Sequence, residues 1–147
     1  LESISLVWFI KQGQLYALLD KMEKKGLITS TMIANESHLM RKQFQITPKG
    51  EKAFLEWLTK PVTHGREMRQ EFLSKLFFCY KIDIDFCYQL IERQISASSE
   101  WLSNLQKKLD ALENEQTFQK MIYLFRLTQI QAMLDWLVQC KLILAEI

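Results

Sequence analysis

The sequence predicts a mainly α-helical protein with one short β-hairpin in its first third. Apolar residues recur every three or four positions from residue 14 and again beyond residue 67, which is the period of amphipathic helices. Between these stretches, Met40, Phe44 and Ile46 recur at even spacing among polar residues, which is the period of a strand with one face on a core. Gly26 and Pro48 stand at the expected boundaries between these elements.

The first predicted helix begins at Gln14 and stops at Gly26, because a left-handed residue is favoured directly after a helix. Lys24 and Lys25 lie in its last turn and complement the negative end of the helix dipole. Its apolar face follows the spacing i, i+3, i+4, i+7: Leu15, Leu18, Leu19 and Met22.

A short strand at residues 27–28 and a second strand at residues 44–46 flank a polar segment. This segment contains the basic pair Arg41 and Lys42, and it has no Asn-Gly turn signal. We therefore predict a long wing loop rather than a two-residue turn between the strands.

The next helix is predicted from its first two residues. Thr47 is a good N-cap, and Pro48 suits the first helical position, where its missing N–H costs nothing. The helix reaches Trp57. Helix, strand, basic hairpin, strand and helix is the order of a winged helix-turn-helix domain, a fold that commonly places one helix in a DNA groove.

This region resembles the PadR family of bacterial transcriptional regulators. The matching residues are Gln14-Leu15-Tyr16, Leu19, Met22-Glu23, Gly26-Leu27-Ile28, Phe44-Gln45-Ile46-Thr47, Gly50 and Trp57-Leu58. Met22 replaces the usual Leu of the family, and Phe44 replaces the usual Tyr, so a hydroxyl contact from the wing is lost. An apolar helix precedes this point in the family, so we expect that the winged-helix domain lacks its N-terminal helix in the given sequence.

The rest of the chain resembles the C-terminal dimerisation domain of the larger PadR proteins, the virulence-activator type. The resemblance lies in Arg69-Gln70-Glu71-Phe72 and the two long helices that follow. Pro61 and Gly65 mark a linker at residues 61–66. We therefore expect a partial winged-helix DNA-binding domain at residues 1–60 and a helical dimerisation domain at residues 67–147.

Three helices are predicted in this second domain: residues 67–80, a helix from the N-cap Asp83 to about residue 113, and residues 118–146. The middle helix has a coiled-coil seam in steps of four and three: Ile91, Ile95, Ser98, Leu102, Leu105, Leu109 and Leu112.

The last helix is apolar on more than one side. One side holds Ile122, Phe125, Ala132, Trp136 and Ile143, and another holds Met121, Leu124, Leu134 and Leu137. A second protomer is the simplest cover for such a helix, so we expect a homodimer. Its predicted interface is Ile91, Ile95, Leu102, Leu105, Leu109, Ile122, Phe125, Trp136, Leu137 and Cys140.

Double-stranded DNA is the expected partner of the first domain. Gln and Lys side chains can contact bases and phosphates, and Tyr can contact phosphates. The candidate DNA-binding residues are Lys11, Gln12, Gln14, Tyr16, Ala17, Lys21, Lys24, His38, Arg41 and Lys42. Asp20 on the same helix opposes DNA binding, and from the residues alone an ordinary solvated helix face and a soluble hairpin are the competing interpretations. The family resemblance favours DNA binding, implying a regulator, expected to be a repressor, on a palindromic operator.

Composition excludes several other classes of protein. The formal charge of +2 argues against general binding of polyanions, although residues 1–60 hold nine Lys/Arg against six Asp/Glu and residues 61–147 hold ten against eleven. The three cysteines are widely spaced, which favours free thiols in the cytoplasm over disulfides or a metal site. Charges at Arg126, Asp135 and Lys141 disfavour a membrane span in the last helix. His38 and His64 both lie in predicted polar loops, without the arrangement of nucleophile and base or of paired carboxylates that catalysis needs, so no enzyme activity and no cofactor are expected.

Two interpretations remain open beside the DNA-binding one. Trp101 or Trp136 could line a pocket for a small aromatic effector, although a Trp on an apolar helix face usually belongs to a core. The alternative function is a winged-helix module for protein–protein interaction that does not bind DNA. Salt-dependent DNA binding separates the two functions, because phosphate contacts release counterions.

Overall fold

The computed structural model describes residues 11–34, 40–113 and 115–146, except for the side chain of Gln12. The fold is mainly helical with one two-stranded antiparallel sheet, which confirms the predicted class. The chain divides into two compact units, and the boundary lies between Leu58 and Thr59.

The first unit contains α1 (Gln12–Lys24), β1 (Ile28–Ala34), β2 (Met40–Ile46) and α2 (Pro48–Leu58). The two strands pair from Ile28 opposite Ile46 to Ala34 opposite Met40. The predicted loop between residues 28 and 44 is therefore wrong over residues 29–34 and 40–43, which are strand, and residues 35–39 lie outside the described residues. The prediction of a two-residue first strand is wrong, since β1 has seven residues. The β-branched residues that follow Ile28 suit a strand even though their pattern does not alternate cleanly.

The end of α1 is held in a left-handed turn. Gly26 has a φ of +69°, as its position after the helix predicts. Its N–H donates to the Glu23 carbonyl at 2.9 Å, and the Leu27 N–H donates to the Met22 carbonyl at 2.9 Å. This pair of bonds is a Schellman motif, which satisfies two carbonyls at the helix end.

Thr47 joins this turn to the start of α2. Its hydroxyl donates to the Gly26 carbonyl at 2.7 Å and accepts from the Gly50 N–H at 3.0 Å, which confirms it as the N-cap. Its backbone N–H donates to the Leu27 carbonyl at 3.0 Å. One residue therefore connects the end of α1, the end of β2 and the first turn of α2.

Gly50 is buried in the same junction. A Cβ atom at this position would lie 2.0 Å from the Leu27 carbonyl oxygen, which is far inside van der Waals contact. The absence of a side chain therefore lets the first turn of α2 approach the backbone that leaves α1.

Much of the predicted core face of this unit is exposed. Leu15, Leu18 and Met22 are each about 40% exposed, and only Leu19 on that face is half-buried. The prediction that one face of β2 lies on a core holds only for the half-buried Phe44, since Ile46 is 51% exposed. Periodicity identifies the apolar face of an element, but it does not show whether a neighbour covers that face.

The second unit contains a 3-10 helix (Gly65–Arg69), α3 (Glu71–Ile82), α4 (Ile84–Asp110) and α5 (Thr117–Leu144). The predicted single helix over residues 67–80 is wrong, because the chain turns at Gln70, where φ is −125°. The Asp83 carboxylate accepts from the Asp85 N–H at 2.9 Å, so the predicted N-cap of α4 is confirmed.

The core of the second unit lies between α3, α4 and α5. Its buried apolar residues are Val62, Met68, Phe72, Cys79, Cys87, Leu90, Ile91 and Leu137. The Trp136 ring packs edge-on against Phe72, with 5.9 Å between centroids. Along α4, Ile91 and Ser98 of the predicted seam are fully buried, whereas Ile95 of the seam is only half-buried. Leu90 and Gln94 are fully buried outside the seam, so the buried face of α4 overlaps the predicted seam only in part.

The apolar sides of α5 also differ from the prediction. Leu137 was grouped with Met121 and Leu124, yet Leu137 is fully buried while the other two are 56% and 47% exposed. Sixteen residues separate Leu137 from Met121, which is about 160° around a helix, so these side chains point to nearly opposite sides.

The backbone of residues 59–62 is held by side chains of α3 and α4. The Arg93 guanidinium donates to the Thr59 carbonyl at 2.8 Å, and the Lys75 ammonium donates to the Lys60 carbonyl at 2.8 Å. The Gln94 amide oxygen accepts from the Val62 N–H at 2.8 Å. The start of the segment expected to be a linker is therefore packed into the second unit.

We expect Gly50→Ala to lower the free energy of unfolding of the first unit by roughly 1–3 kcal/mol, because the methyl group would overpack the junction. Thermal unfolding followed by circular dichroism measures the effect. Gly13→Ala is the matched control, since a Cβ atom there meets nothing within 4 Å. Equal melting temperatures for both variants would contradict the close approach at Gly50.

Candidate nucleic-acid interface

The exposed face of α1 carries five of the ten predicted DNA-binding residues. Helical spacing brings together on this face Gly13, Gln14, Tyr16, Ala17, Lys21 and Lys24, all of which are exposed. Lys11 is also exposed and directly precedes the helix. Asp20 lies on the same face and is exposed, so the surface is cationic but not uniformly so. The predicted contacts of the Gln12 side chain and of His38 lie outside the described residues.

The two consecutive basic residues of the wing, Arg41 and Lys42, lie on opposite faces of the hairpin. Arg41 and Lys42 are consecutive residues of β2, and consecutive strand residues point to opposite faces of a sheet. Lys42 shares its face with Phe44 and with Ser30, which is opposite Phe44 on β1. Arg41 therefore lies on the other face, together with the exposed Gln43 and Gln45.

Lys42 is held by a carboxylate of α1. Its ammonium lies 3.7 Å from Glu23 Oε2, with the two side chains 45% and 33% exposed. The Ser30 hydroxyl donates to the other oxygen of Glu23. The hydrogen bond from Ser30, followed by the charge of Lys42, outweighs desolvation and lowers the pKa of the Glu23 carboxyl. Sequence reasoning missed this contact because it joins residues nineteen positions apart.

Arg41 is the free cation of the described part of the wing. Its guanidinium has no hydrogen bond or ion pair with another described residue, and the residue is exposed. Lys49 is a cation that sequence reasoning did not single out. Its ammonium donates to the Lys25 carbonyl at 2.7 Å, so it caps the end of α1. The local signal was its position directly after the N-cap pair Thr47-Pro48.

The predicted dimer residues fall into three groups by exposure. Ile91 and Leu137 are fully buried by their own chain, so this arrangement leaves them no surface for a second copy. The half-buried group comprises Ile95, Leu102, Leu105, Leu109, Trp136 and Cys140. Ile122 and Phe125 are exposed, at 36% and 63%. Sequence reasoning left out of the interface six further exposed large apolar residues of the same helix: Phe118, Met121, Leu124, Val138, Leu142 and Ile143.

The two tryptophans of the proposed pocket have different environments. Trp136 packs on Phe72 and belongs to the core of the second unit. Trp101 is half-buried and lines a cleft of about 620 Å³ within that unit.

The remaining chemistry of the described residues is limited. Cys79, Cys87 and Cys140 are free thiols, as predicted, and burial raises the pKa of Cys79 to about 12. Across residues 11–34, 40–113 and 115–146, no three His, Cys, Asp or Glu side chains form a group that could hold a metal ion. Within those same ranges, no helix is long and apolar enough to span a bilayer.

Comparison with known families places these elements. Residues 1–57 match the transcriptional regulator PadR-like family, and residues 68–145 match the virulence activator alpha C-terminal family. The chain belongs to the PadR-like family of transcriptional regulators. Its second unit is of the virulence-activator type, as the sequence resemblance implied, and the family is one of regulators rather than enzymes.

Individual relatives are distant in sequence. The chain is 24% identical over 111 residues to the negative transcriptional regulator PadR of Bacillus subtilis strain 168, covering 76% of this chain and 61% of that protein. The crystal structure of Bacillus subtilis PadR in complex with operator DNA is 21% identical in sequence and has a TM-score of 0.42. The match covers 99% of the present chain and 84% of the PadR chain in that crystal structure. The crystal structure of smu.1604c from Streptococcus mutans UA159 is 23% identical in sequence and has a TM-score of 0.44. The match covers 92% of the present chain and 81% of the smu.1604c chain.

We expect Ser30→Ala to raise the pKa of Glu23 toward its ordinary value of 4.5, because the Ser30 bond is the largest cause of the shift. The carboxylate contributes stability above pH 4.5, and this contribution is lost as the pH falls through the lower pKa of the folded state. Carboxyl-detected NMR titration measures the pKa. Lys42→Ala should have a smaller effect, and Thr31→Ala, on the opposite face of β1, should have none. An unchanged pKa in Ser30→Ala would contradict the hydrogen bond.

Proposed function

We propose that this PadR-like regulator binds double-stranded DNA as a homodimer and represses transcription from a palindromic operator in the cytoplasm. The observation that supports this best is the exposed face of α1, where Gln14, Lys21 and Lys24 lie together on one rigid helix. A major groove admits one α-helix, and these side chain types contact base edges and phosphates there.

The wing supports the same proposal through Arg41. This cation is exposed on the outer face of the hairpin and is unpaired within the described part of the chain. It is therefore available to a phosphate of the flanking backbone. Lys42 contributes less in this proposal, because a phosphate must first replace Glu23 as its partner. The proposed contacts from described side chains are Lys11, Gln14, Tyr16, Ala17, Lys21, Lys24 and Arg41.

The homodimer is supported by an apolar patch on the first third of α5. The patch consists of Phe118, Met121, Ile122, Leu124 and Phe125, which are 36% to 68% exposed. Contiguous apolar surface of this kind usually marks an interaction site. A two-fold dimer would let the same patch on two copies cover itself, which a single patch of one chain cannot do. Ile91 and Leu137 are therefore removed from the proposed interface.

Dimerisation also serves the proposed reading of DNA. One winged helix contacts only a half-site, so a single unit reads too few bases for a specific operator. Two units joined through α5 bind with the effective concentration of a bivalent ligand. A palindromic operator then follows from the two-fold symmetry of the protein. A small aromatic effector remains a prediction of this proposal.

A second candidate function is a protein–protein interaction module that does not bind DNA. The observation that favours it is the exposed apolar face of α1, formed by Leu15, Leu18 and Met22. That face could dock an apolar helix of another protein. Affinity that does not fall with salt would favour this candidate, because an apolar interface releases no counterions.

We expect Lys21→Ala and Arg41→Ala each to weaken binding to the DNA upstream of the gene for this chain. In a dimer each variant removes two phosphate contacts, so the slope of log affinity against log salt should fall by about two. Fluorescence anisotropy at about 50 and about 200 mM salt measures it. Lys107→Ala, an exposed residue of α4, is the control, and Lys42→Ala should have a smaller effect. Equal slopes for Lys21→Ala, Arg41→Ala and Lys107→Ala would remove the DNA-binding proposal.

We expect Phe125→Asp to convert the dimer to a monomer. Burying a Phe side chain is worth roughly 1.5–3 kcal/mol, and a two-fold interface contains two copies. Loss of two such side chains, about 3 kcal/mol or more, should therefore raise the dissociation constant by about a hundredfold or more. Sedimentation equilibrium measures it, and Ser103→Asp, an exposed polar position of α4, is the matched control. A dimer of unchanged affinity in Phe125→Asp would show that the patch is not the interface.

A further inference from the structure

A cleft opens within the second unit, between the 3-10 helix, α4 and α5. Its volume is about 620 Å³. This size lies in the range of small-molecule sites in proteins. Every residue that lines it belongs to residues 63–133, so the cleft is formed by this unit alone.

The charge of the lining is strongly uneven. Four cations face the cleft, two from the 3-10 helix and one from each long helix: Arg66, Arg69, Lys108 and Arg126. No Asp or Glu lines it, although the whole chain has a formal charge of only +2. Four like charges around one cleft repel each other, and an anion bound between them offsets this repulsion.

These cations also lack protein partners. In the described part of the chain, none of the four side chains has a hydrogen bond or an ion pair with another group. The nearest carboxylate in sequence, Glu67, is occupied elsewhere. Its Oε2 accepts from the backbone N–H groups of Thr63 and His64 at 3.0 and 3.1 Å. Partial burial raises the pKa of Glu67, but these hydrogen bonds outweigh it and lower the pKa overall.

The rest of the lining is apolar and aromatic. Trp101, Leu105, Ile130 and Met133 are half-buried and contribute the apolar surface. Asn104 and Gln129 add amide groups at the edge. An indole face beside guanidinium groups suits a flat ring that carries negative charge.

We propose that this cleft binds a small aromatic molecule with at least two negative charges, of the aryl phosphate or nucleoside monophosphate class. A single carboxylate brings only one negative charge to the four cations, whereas a phosphate monoester brings up to two and accepts hydrogen bonds from several arginine forks at its three oxygens. The apolar patch of a second copy is a poor occupant, because it would bury unpaired charges.

The position of the site connects it to the proposed function. Arg66 and Arg69 belong to the segment that directly follows residues 59–62, whose backbone is held by Arg93, Lys75 and Gln94. An anion that draws Arg66 and Arg69 toward α4 and α5 acts on the chain that leads out of the DNA-binding unit. This regulatory consequence rests on the proposed function, whereas ligand binding itself does not.

Calorimetric titration of the full chain with naphthyl phosphate and with AMP tests the site. Naphthol, which has the ring without the phosphate, and inorganic phosphate, which has the charge without the ring, are the two controls. We expect at least one of the two aromatic phosphates to bind at least about tenfold more tightly than either control, because ring and charge are both recognised. No binding of either aromatic phosphate, or equal binding of inorganic phosphate, would overturn the proposal.

Variants locate the site. Arg66→Gln combined with Arg126→Gln removes one cation from each of two walls and should weaken binding by at least about tenfold. Lys107→Gln lies on α4 outside the cleft and should leave binding unchanged. Both variants are at exposed positions, so unchanged melting temperatures are expected for both. An equal loss in Lys107→Gln, or no loss in the double variant, would overturn the assignment to this cleft.

DNA binding gives the last measurement. The double variant should keep its DNA affinity in the absence of a small ligand. A loss as large as that of Arg41→Ala would identify the cleft as a phosphate-backbone contact and overturn the ligand site. Aromatic phosphate binding by a chain that binds no DNA would support the site while the proposed function fails. Binding with no change in DNA affinity would support the site and reject its regulatory consequence.

Discussion

The hydroxyl of Thr47 is the interaction on which the first unit depends. It donates to the Gly26 carbonyl and accepts from Gly50, while the Thr47 N–H holds the Leu27 carbonyl. The left-handed turn at Gly26 and the missing side chain at Gly50 make this approach feasible. Because α1, β2 and α2 all meet here, this junction sets the angle between the exposed face of α1 and the wing, together with the contacts of Glu23 to Ser30 and Lys42. The exposed side chains of α1 take no part in this junction, so packing at the junction does not constrain which side chains the helix exposes.

In the second unit, buried polar side chains fill the corresponding role. Gln94 and Lys75 are fully or almost fully buried, and both use their polar atoms on the backbone of residues 60–62. Burying such groups is costly unless they are hydrogen-bonded, so their partners are specific. The segment that leaves the first unit is thus tied to the helices by directional bonds rather than by apolar contacts alone. Apolar side chains remain available on α5, where the proposed dimer needs them.

The features that could be predicted from sequence are those with local causes. Gly26, Thr47, Pro48 and Asp83 act on their own helix ends, and the structure bears out each of them.

What could not be predicted depends on distant residues. Glu23 holds Lys42 across the unit, and Gln94 is buried because Val62 folds back onto it. The separation of Arg41 from Lys42 was accessible in principle, since the period of a strand already places neighbours on opposite faces. The four cations of the cleft come from three segments, so no local pattern could have grouped them.

The hairpin is anchored at its base, and this has a consequence for how the family can vary. The Gly26 turn holds the start of β1, and Thr47 holds the end of β2, so the pairing of Ile28 with Ile46 is set far from the tip. Residues added or removed between Ala34 and Met40 would change the length of the connection without shifting the register of the strands. Arg41 would keep its face in each case. In a protein built this way the connection can be lengthened or shortened by single residues, while α1 and the face that it exposes stay unchanged.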